Sequence, residues 1–318
     1  MKAAVFNEYG SSDVLKIKEI DKPIPKDNEV LIKVFASPVT TGDTRMRKAD
    51  PFAIRFITGL LKPKKKVLGI HLAGEIESIG KNVTLFKKGD RVYGSCGMKL
   101  GAYAEYASLS EKAVITKIPK NFSYKEAAAI LFGADTALHF LRKAKIKKGD
   151  KVLIYAASGG VGTAVIQLAK YFGAEVSGVC SESNFKFVKS LGADILIDYT
   201  KENFTKNGET YDIIYDTIGK ISYSECRHSL KENGRFIANN ASLKDYFNLI
   251  KTSMIGNKKV IAGVALETIE NLDLIRELVV SKKLKVPIDK IYPLDKISDS
   301  HKYVDLGHKK GNVVIKIN

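Results

Sequence analysis

Residues 151–162 read KVLIYAASGGVG, and an apolar run with helical spacing, AVIQLAK, follows at 164–170. This order predicts a buried strand, a tight turn and a helix. Glycines at 159, 160 and 162 let the backbone approach a ligand, and the first N–H groups of a helix attract phosphate. Because a second strand is predicted at 175–180, the stretch indicates a dinucleotide-binding turn. A glycine turn needed only for packing is the alternative.

The bulk composition is that of an ordinary globular chain. Its 318 residues, 45% apolar and 27% charged, are enough for two domains. The three cysteines are odd in number and far apart, which favours a reducing compartment. With no secretory leader pattern and no apolar run long enough to span a bilayer, we expect a cytoplasmic protein without a membrane partner.

The net charge of +17 is the one unusual bulk property. The bases are mostly lysines spread along the chain, and the densest cluster is 62–66, KPKKK. A solvated lysine-rich surface, steering of a phosphate-bearing cofactor and nucleic-acid binding are the three explanations. Since the chain has no arginine-rich arm and no basic stripe with aromatics, nucleic acid is the least favoured.

Two kinds of pattern divide the chain. Residues 1–120 carry short apolar runs between turn signals, which predicts a β-rich region, and Ser123 with Glu126 forms a capping box for a helix over 123–145. From residue 151 strands alternate with helices, including one expected at 221–232, which predicts a parallel, doubly wound sheet. Strands near 285–286 and at 313–317 are expected to return to the first region.

Nine short motifs in a fixed order carry a resemblance to a known family. They are KAAV (2–5), LGIHLAG (68–74), VTLFKKGDRV (83–92), GAYAEY (101–106), TAL (136–138), AASGGVG (156–162), LGAD (191–194), YD (211–212) with Gly219, and GNVV (311–314). The chain resembles the zinc-free quinone oxidoreductase-like branch of the medium-chain dehydrogenase/reductase superfamily.

The resemblance implies an α/β fold with two domains. A GroES-like, β-rich catalytic domain would take residues 1–122 and 265–318, and a Rossmann dinucleotide-binding domain with a doubly wound parallel sheet would take 123–264. The active site would lie in the cleft between them. Because such relatives are dimers or tetramers, a homodimer is expected.

A metal is not expected. Zinc-dependent relatives hold their metal with a cysteine and a following His-Glu pair, but here Thr40 and Thr41 stand at the first position and Ile70 at the usual histidine. His71 alone beside threonines is not a zinc shell, which needs three protein ligands. We therefore expect no zinc and interpret His71 as a packed or hydrogen-bonded residue in preference to a proton relay.

The end of the second Rossmann strand indicates NADPH rather than NADH. An NAD site needs a carboxylate there for the ribose hydroxyl, but this chain has Ser181, which can donate to a 2′-phosphate and can also cap a helix. Similar NADPH enzymes commonly have a basic residue shortly after this strand; here Asn184 stands at the matching position and Lys186 two residues further on. Tyr199 matches a tyrosine that contacts the 2′-phosphate in similar enzymes. Glu182 opposes this choice, because its charge would repel phosphate or, if the strand ends later, would bind the ribose hydroxyl of NADH.

The resemblance also assigns residues near the nicotinamide, each with packing or capping as the alternative. Proton donors are harder to name: Tyr93, Asp43, His71, the ribose hydroxyl and water are all candidates. The predicted catalytic residues are Thr40, Tyr93 and Thr136. The predicted cofactor-binding residues are Ser158, Gly159, Gly160, Val161, Gly162, Ser181, Lys186, Tyr199, Thr217, Asn239, Gly263 and Val264.

The function expected from these features is NADPH-dependent, metal-free reduction of quinones or α,β-unsaturated carbonyl compounds. An enoyl-thioester reductase or an alcohol dehydrogenase of the same superfamily is the alternative enzyme. A reductase scaffold that binds nucleic acid or a protein is the alternative of another class. Residues 50–61, rich in apolar side chains, are interpreted as a substrate lid or as a helix at a subunit contact.

Overall fold

The computed structural model describes all 318 residues, which form fifteen strands and nine α-helices. The strands are β1 (Lys2–Val5), β2 (Lys16–Glu19), β3 (Glu29–Val39), β4 (His71–Ile79), β5 (Arg91–Ser95), β6 (Tyr106–Ser110), β7 (Ile115–Lys117), β8 (Lys151–Tyr155), β9 (Glu175–Cys180), β10 (Ile195–Asp198), β11 (Tyr211–Asp216), β12 (Leu230–Ala238), β13 (Lys259–Ala262), β14 (Ile288–Pro293) and β15 (Asn312–Lys316). The helices are α1 (Thr41–Lys48), α2 (Ile54–Thr58), α3 (Tyr124–Lys143), α4 (Gly160–Tyr171), α5 (Phe185–Ser190), α6 (Tyr223–Cys226), α7 (Leu243–Met254), α8 (Ile269–Val280) and α9 (Ile297–Asp305).

The chain divides into two compact units. The first comprises residues 1–132, 268–276 and 288–318, and the second comprises 133–267 and 277–287. In the first unit a seven-stranded sheet has the order β14-β15-β3-β4-β5-β7, with β6 also paired to β3. Strand β15 pairs antiparallel with β3, so the end of the chain returns to the first sheet, as the sequence predicted.

The second unit is built on a six-stranded sheet in which every pairing is parallel, in the order β10-β9-β8-β11-β12-β13. Residues 152–154 of β8 are fully buried, because helices cover both faces of a doubly wound sheet. Strands β9 and β10 lie on one side of β8, and the chain then crosses to the other side of β8 to form β11, β12 and β13. The strand order therefore reverses between β8 and β11. Ligands bind such sheets at this point, beyond the carboxyl ends of the strands.

Two predictions about individual elements are wrong. Residues 221–232 form only the short helix α6 and a 3₁₀ turn, because Leu230 is buried and already pairs with Tyr211 at the start of β12. Residues 285–286 form no strand. The side chain of Gln167 accepts from the Lys285 N–H at 2.8 Å and donates to its carbonyl at 3.1 Å, which satisfies the groups that a strand would pair.

Two further features of the helices bear on function. The sequence did not indicate α7, which packs Leu249 against the core but exposes four other apolar residues: Leu243, Phe247, Ile250 and Met254 are all more than half exposed. Among the nine helices, none is both long and apolar enough to cross a membrane.

Candidate functional site

The turn after β8 is held by close backbone packing. Ala156 has a left-handed conformation with φ 58°, and Gly160 and Val161 then begin α4. A Cβ at Gly162 would lie 2.5 Å from the carbonyl oxygen of Ala156, well inside van der Waals contact. Glycine at 162 is therefore required by the packing of α4 against the end of β8.

Gly159 is different, because nothing in the protein requires it to be glycine. Its φ is −76°, an ordinary value, and a Cβ there would meet only the Ala156 carbonyl oxygen, at 3.5 Å. The N-terminus of α4, a helix of 12 residues, has no side-chain cap, so its first N–H groups are available to an external acceptor. An open position before an uncapped helix fits a pyrophosphate held against the backbone.

The loop after β11 lies beside this turn at the point where the strand order reverses. The Thr217 hydroxyl donates to the carbonyl oxygen of Tyr155 at 2.9 Å, and the Asn239 side-chain amide donates to the Thr217 carbonyl at 3.3 Å. The carboxylate of Asp216 accepts three backbone N–H groups of the same loop, from Ile218, Gly219 and Ile221. Thr217 and Asn239 are thereby placed next to the end of β8.

Hydroxyl groups gather at the end of β9. The side-chain amide of Asn184 donates to Ser158 at 3.3 Å and to Ser181 at 3.2 Å, and Ser181 also contacts the Ser183 hydroxyl at 3.1 Å. The side-chain oxygen of Asn184 is buried without a partner. The structure thus brings Ser181 to the glycine turn, and the Asn184 amide links Ser181 to Ser158.

Glu182, whose charge argued against a phosphate, is paired with a lysine. Lys201 donates to its carboxylate at 2.5 Å, and this hydrogen bond raises the pKa of Lys201. The two side chains are each 65% exposed. Lys186 is exposed on α5, and Tyr199, which follows β10, is 51% exposed. The charge of Glu182 is thus countered by Lys201, and Lys186 and Tyr199 are both exposed to solvent.

The remaining predicted residues of the second unit lie farther along it. Thr136 is on α3, and its carbonyl oxygen is 3.5 Å from the Tyr215 hydroxyl. Gly263, with φ 133°, and Val264, 80% exposed, follow β13 at the far edge of the sheet. Predicted residues follow the carboxyl ends of three neighbouring parallel strands. They are Thr217 after β11, Asn239 after β12, and Gly263 and Val264 after β13.

In the first unit the predicted catalytic groups are buried. Thr40 caps α1: its hydroxyl donates to the Asp43 carboxylate at 2.6 Å and accepts from the Asp43 N–H at 3.1 Å. Burial raises the pKa of Asp43, which is 1% exposed, and raises that of Tyr93, equally buried, well above its ordinary value. His71 packs edge-on against Phe132, with ring centres 5.9 Å apart.

The donor set does not fit a metal. No three side chains among His, Cys, Asp and Glu come together so that they could hold an ion. The three cysteines are separate, buried free thiols.

Sequence reasoning missed Ser183 and Lys201. Ser183 stands two residues beyond Ser181 and could have been noted from that spacing. Lys201 had no sequence signal, since it reaches Glu182 only because β10 pairs in parallel with β9, with Asp198 opposite Cys180.

Family models, related sequences and solved structures all match this chain to the same group of oxidoreductases. Residues 26–120 match the family described as alcohol dehydrogenase GroES-like domain, and residues 191–315 match zinc-binding dehydrogenase. The chain is 35% identical to 2-methylene-furan-3-one reductase of Solanum lycopersicum and 32% identical to NADPH-dependent alkenal/one oxidoreductase of Arabidopsis thaliana; each match covers 99% of this chain and 79% of the relative. The solved quinone oxidoreductase of Coxiella burnetii superposes with a TM-score of 0.91 at 30% identity, over 100% of this chain and 99% of that one.

Proposed function

Because this chain belongs to the quinone oxidoreductase-like branch of the medium-chain dehydrogenase/reductase superfamily, we propose that it is an NADPH-dependent reductase of quinones or α,β-unsaturated carbonyl compounds. The observation that carries the proposal is the open position at Gly159 before the uncapped N-terminus of α4. The names of the relatives supply the substrate class and the cofactor.

The chain's residues bind and orient the cofactor, and bound NADPH supplies the hydride. The backbone at Ser158, Gly159, Gly160 and Val161 holds the pyrophosphate, with Gly162 allowing α4 to approach. The 2′-phosphate is held by Ser181, Lys186 and Tyr199, with the Asn184 amide beside them. Around the nicotinamide stand Thr136, Thr217, Asn239, Gly263 and Val264.

Reduction leaves an enolate or a hydroquinone anion, which needs a proton. Thr40, Tyr93 and Thr136 are the catalytic residues of this proposal. An ordinary tyrosine is already protonated at neutral pH, and burial raises the pKa of Tyr93 further. Its hydroxyl therefore has a proton to donate, although the raised pKa makes it a weaker acid than an exposed tyrosine. The Thr40 hydroxyl proton is directed at Asp43, so Thr40 offers a substrate its oxygen as an acceptor.

The reaction uses no catalytic zinc, although one matched family is described as zinc-binding. At the positions where zinc-dependent relatives have ligands this chain has Thr40, Thr41 and Ile70, and His71 alone is a good zinc donor. The buried free cysteines agree with a reducing, cytoplasmic location.

A homodimer completes the proposal. Strand β13 is an unpaired edge of its sheet, and α7, which packs on β13, exposes a row of apolar side chains. An open edge beside an apolar face suits a second copy of the same chain. Light scattering checks it, since a solution mass equal to the chain's 35.0 kDa would exclude the dimer.

The decisive experiment is a titration of the purified protein with NADPH and with NADH, followed by nicotinamide fluorescence, and then NADPH oxidation with quinones and enones. Binding that favours NADPH, with turnover on either substrate class, is expected. Failure to bind either nucleotide would overturn the enzyme proposal and turn attention to protein or RNA partners.

A further inference from the structure

The segment around α2 exposes apolar side chains in a continuous piece of chain. Phe52, Phe56, Ile57, Leu60 and Leu61, here called the α2 patch, are between 53% and 88% exposed. Phe52 and Phe56 contact each other edge-to-face, with ring centres 6.1 Å apart. Single exposed apolar residues are common, but five within ten residues, two of them in contact, form a surface that water solvates poorly.

The α2 patch is presented by a fixed scaffold. The Tyr9 hydroxyl contacts the Thr58 hydroxyl at 2.8 Å and donates to the Gly59 carbonyl oxygen at 2.7 Å. The Arg55 guanidinium stacks over the Tyr9 ring at 4.8 Å, and the Lys64 N–H donates to the Thr58 carbonyl at 2.8 Å. Because polar contacts hold the inner side of the segment, its apolar side chains stay on the outside.

Lysines border the α2 patch on its C-terminal side. Lys62, Lys64, Lys65 and Lys66 are all exposed. Residues 50–66 contain five bases and one acid, Asp50. An apolar surface with aromatic residues and a lysine border has the composition of segments that lie in the interface of a lipid bilayer.

A cavity of about 110 Å³ opens next to the α2 patch. Phe6, Met46, Leu68 and Leu100 form its apolar wall, and Lys64 and Lys65 are also among its lining residues. An apolar cavity beside lysines suits a lipid molecule. Its hydrocarbon chain enters the cavity, and its anionic headgroup contacts Lys64 and Lys65. An acidic protein surface would use the lysines but would leave the apolar cavity without an occupant.

We propose that the α2 patch and its lysine border dock the protein on the surface of an anionic lipid bilayer. The apolar side chains enter the acyl boundary, and the lysines meet lipid phosphates. We expected no membrane partner from the sequence because no segment can span a bilayer, but docking at the interface needs no spanning segment. The inference does not depend on the proposed reductase activity, since the binding measured below needs neither NADPH nor substrate.

The test is sedimentation of the full-length protein with vesicles of phosphatidylglycerol and phosphatidylcholine, compared with vesicles of phosphatidylcholine alone. Binding to the anionic vesicles that weakens as salt is raised is expected. Phe56→Ser/Leu61→Ser should weaken it about tenfold or more, whereas the matched control Ile24→Ser/Leu85→Ser, at exposed positions outside the patch, should not. Lys64→Glu/Lys65→Glu should weaken binding more than Lys87→Glu/Lys88→Glu, which changes the net charge equally.

Three outcomes would overturn the proposal. The first is no binding to anionic vesicles, and the second is equal losses in the patch variants and their controls. The third is a lower solution mass for Phe56→Ser/Leu61→Ser by light scattering, with vesicle binding unchanged, because the patch would then be a contact between copies of the chain.

Discussion

Gly162 lies so close to Ala156 that a Cβ on it would come within 2.5 Å of the Ala156 carbonyl oxygen. The neighbouring Gly159 has no such contact, since its Cβ would be 3.5 Å from the same oxygen. Two glycines of one turn therefore differ: the fold needs Gly162, whereas nothing in the protein requires glycine at 159, where we propose that the pyrophosphate binds.

This difference predicts opposite results for two alanine substitutions. Gly159→Ala should leave the free energy of unfolding nearly unchanged and weaken NADPH binding about tenfold or more, because its Cβ occupies the position of the pyrophosphate. Gly162→Ala should destabilise the fold by about 1–3 kcal/mol, the usual cost of forced overpacking. Urea unfolding and fluorescence titration measure the two effects, and a large loss of stability in Gly159→Ala would contradict the assignment.

Ser181→Asp should shift the cofactor preference from NADPH towards NADH. A carboxylate at the end of β9 repels the 2′-phosphate and accepts from a ribose hydroxyl. The ratio of the two dissociation constants is the quantity to measure. Ser190→Asp, at an exposed position on α5, adds the same charge and should leave the ratio unchanged; an unchanged ratio in Ser181→Asp as well would remove this serine from the site.

The ion pair between Glu182 and Lys201 should also affect the ratio of the NADPH and NADH dissociation constants. Lys201→Gln frees the Glu182 carboxylate and should weaken NADPH more than NADH, since the free charge repels the additional phosphate. Glu182→Gln/Lys201→Gln should recover most of the lost NADPH affinity. Titrations at low ionic strength are the measurement, because both side chains are exposed and salt screens them. Equal weakening of both nucleotides would show that the pair has no part in selectivity.

Tyr93→Phe tests the proposed proton donor by removing only its hydroxyl. If Tyr93 supplies the proton, kcat should fall about tenfold or more while the dissociation constant for NADPH stays the same. Tyr106→Phe, in the same sheet, is the matched control. Unchanged kcat with a lower free energy of unfolding would mean that this buried tyrosine serves packing alone.

The ion pair between Arg47 and Asp305 predicts a pH-dependent stability. Arg47 is fully buried and donates to Asp305 at 2.6 Å. Burial alone would raise the pKa of Asp305, but hydrogen bonds from Lys48 and Arg47 outweigh it and hold this pKa below its ordinary value. A lowered carboxyl pKa contributes stability above the unfolded pKa of about 3.9, and this contribution is lost as pH falls through the folded pKa.

Asp305→Asn should therefore cost about 3 kcal/mol at neutral pH, because it leaves the Arg47 charge buried and unpaired. The difference from the unaltered protein should shrink as pH falls below about 4. Urea unfolding across pH checks this, with Asp299→Asn, in an exposed pair, expected to cost less than about 1 kcal/mol. A difference that does not change with pH would contradict the ion-pair account.

Local patterns in the sequence determined the architecture of this protein. The strand, glycine turn and helix at 151–170, the alternation of strands and helices after it, and the capping box at Ser123 and Glu126 depend on residues close in the chain. Their conformations follow from backbone geometry and hydrophobic periodicity, so they could be predicted without a structure.

The tertiary structure decided which residues that are far apart in the chain come into contact. Strand pairing brought Lys201 to Glu182, the side chain of Gln167 replaced a predicted strand at Lys285, and Leu230 joined a strand in place of a helix. The same holds for the α2 patch, which lies in a segment that the sequence interprets as a substrate lid or a subunit contact: the exposure of its apolar residues is visible only in the folded chain. Pairing register and burial depend on the sum of many contacts between elements far apart in the chain, and no local pattern contains that sum.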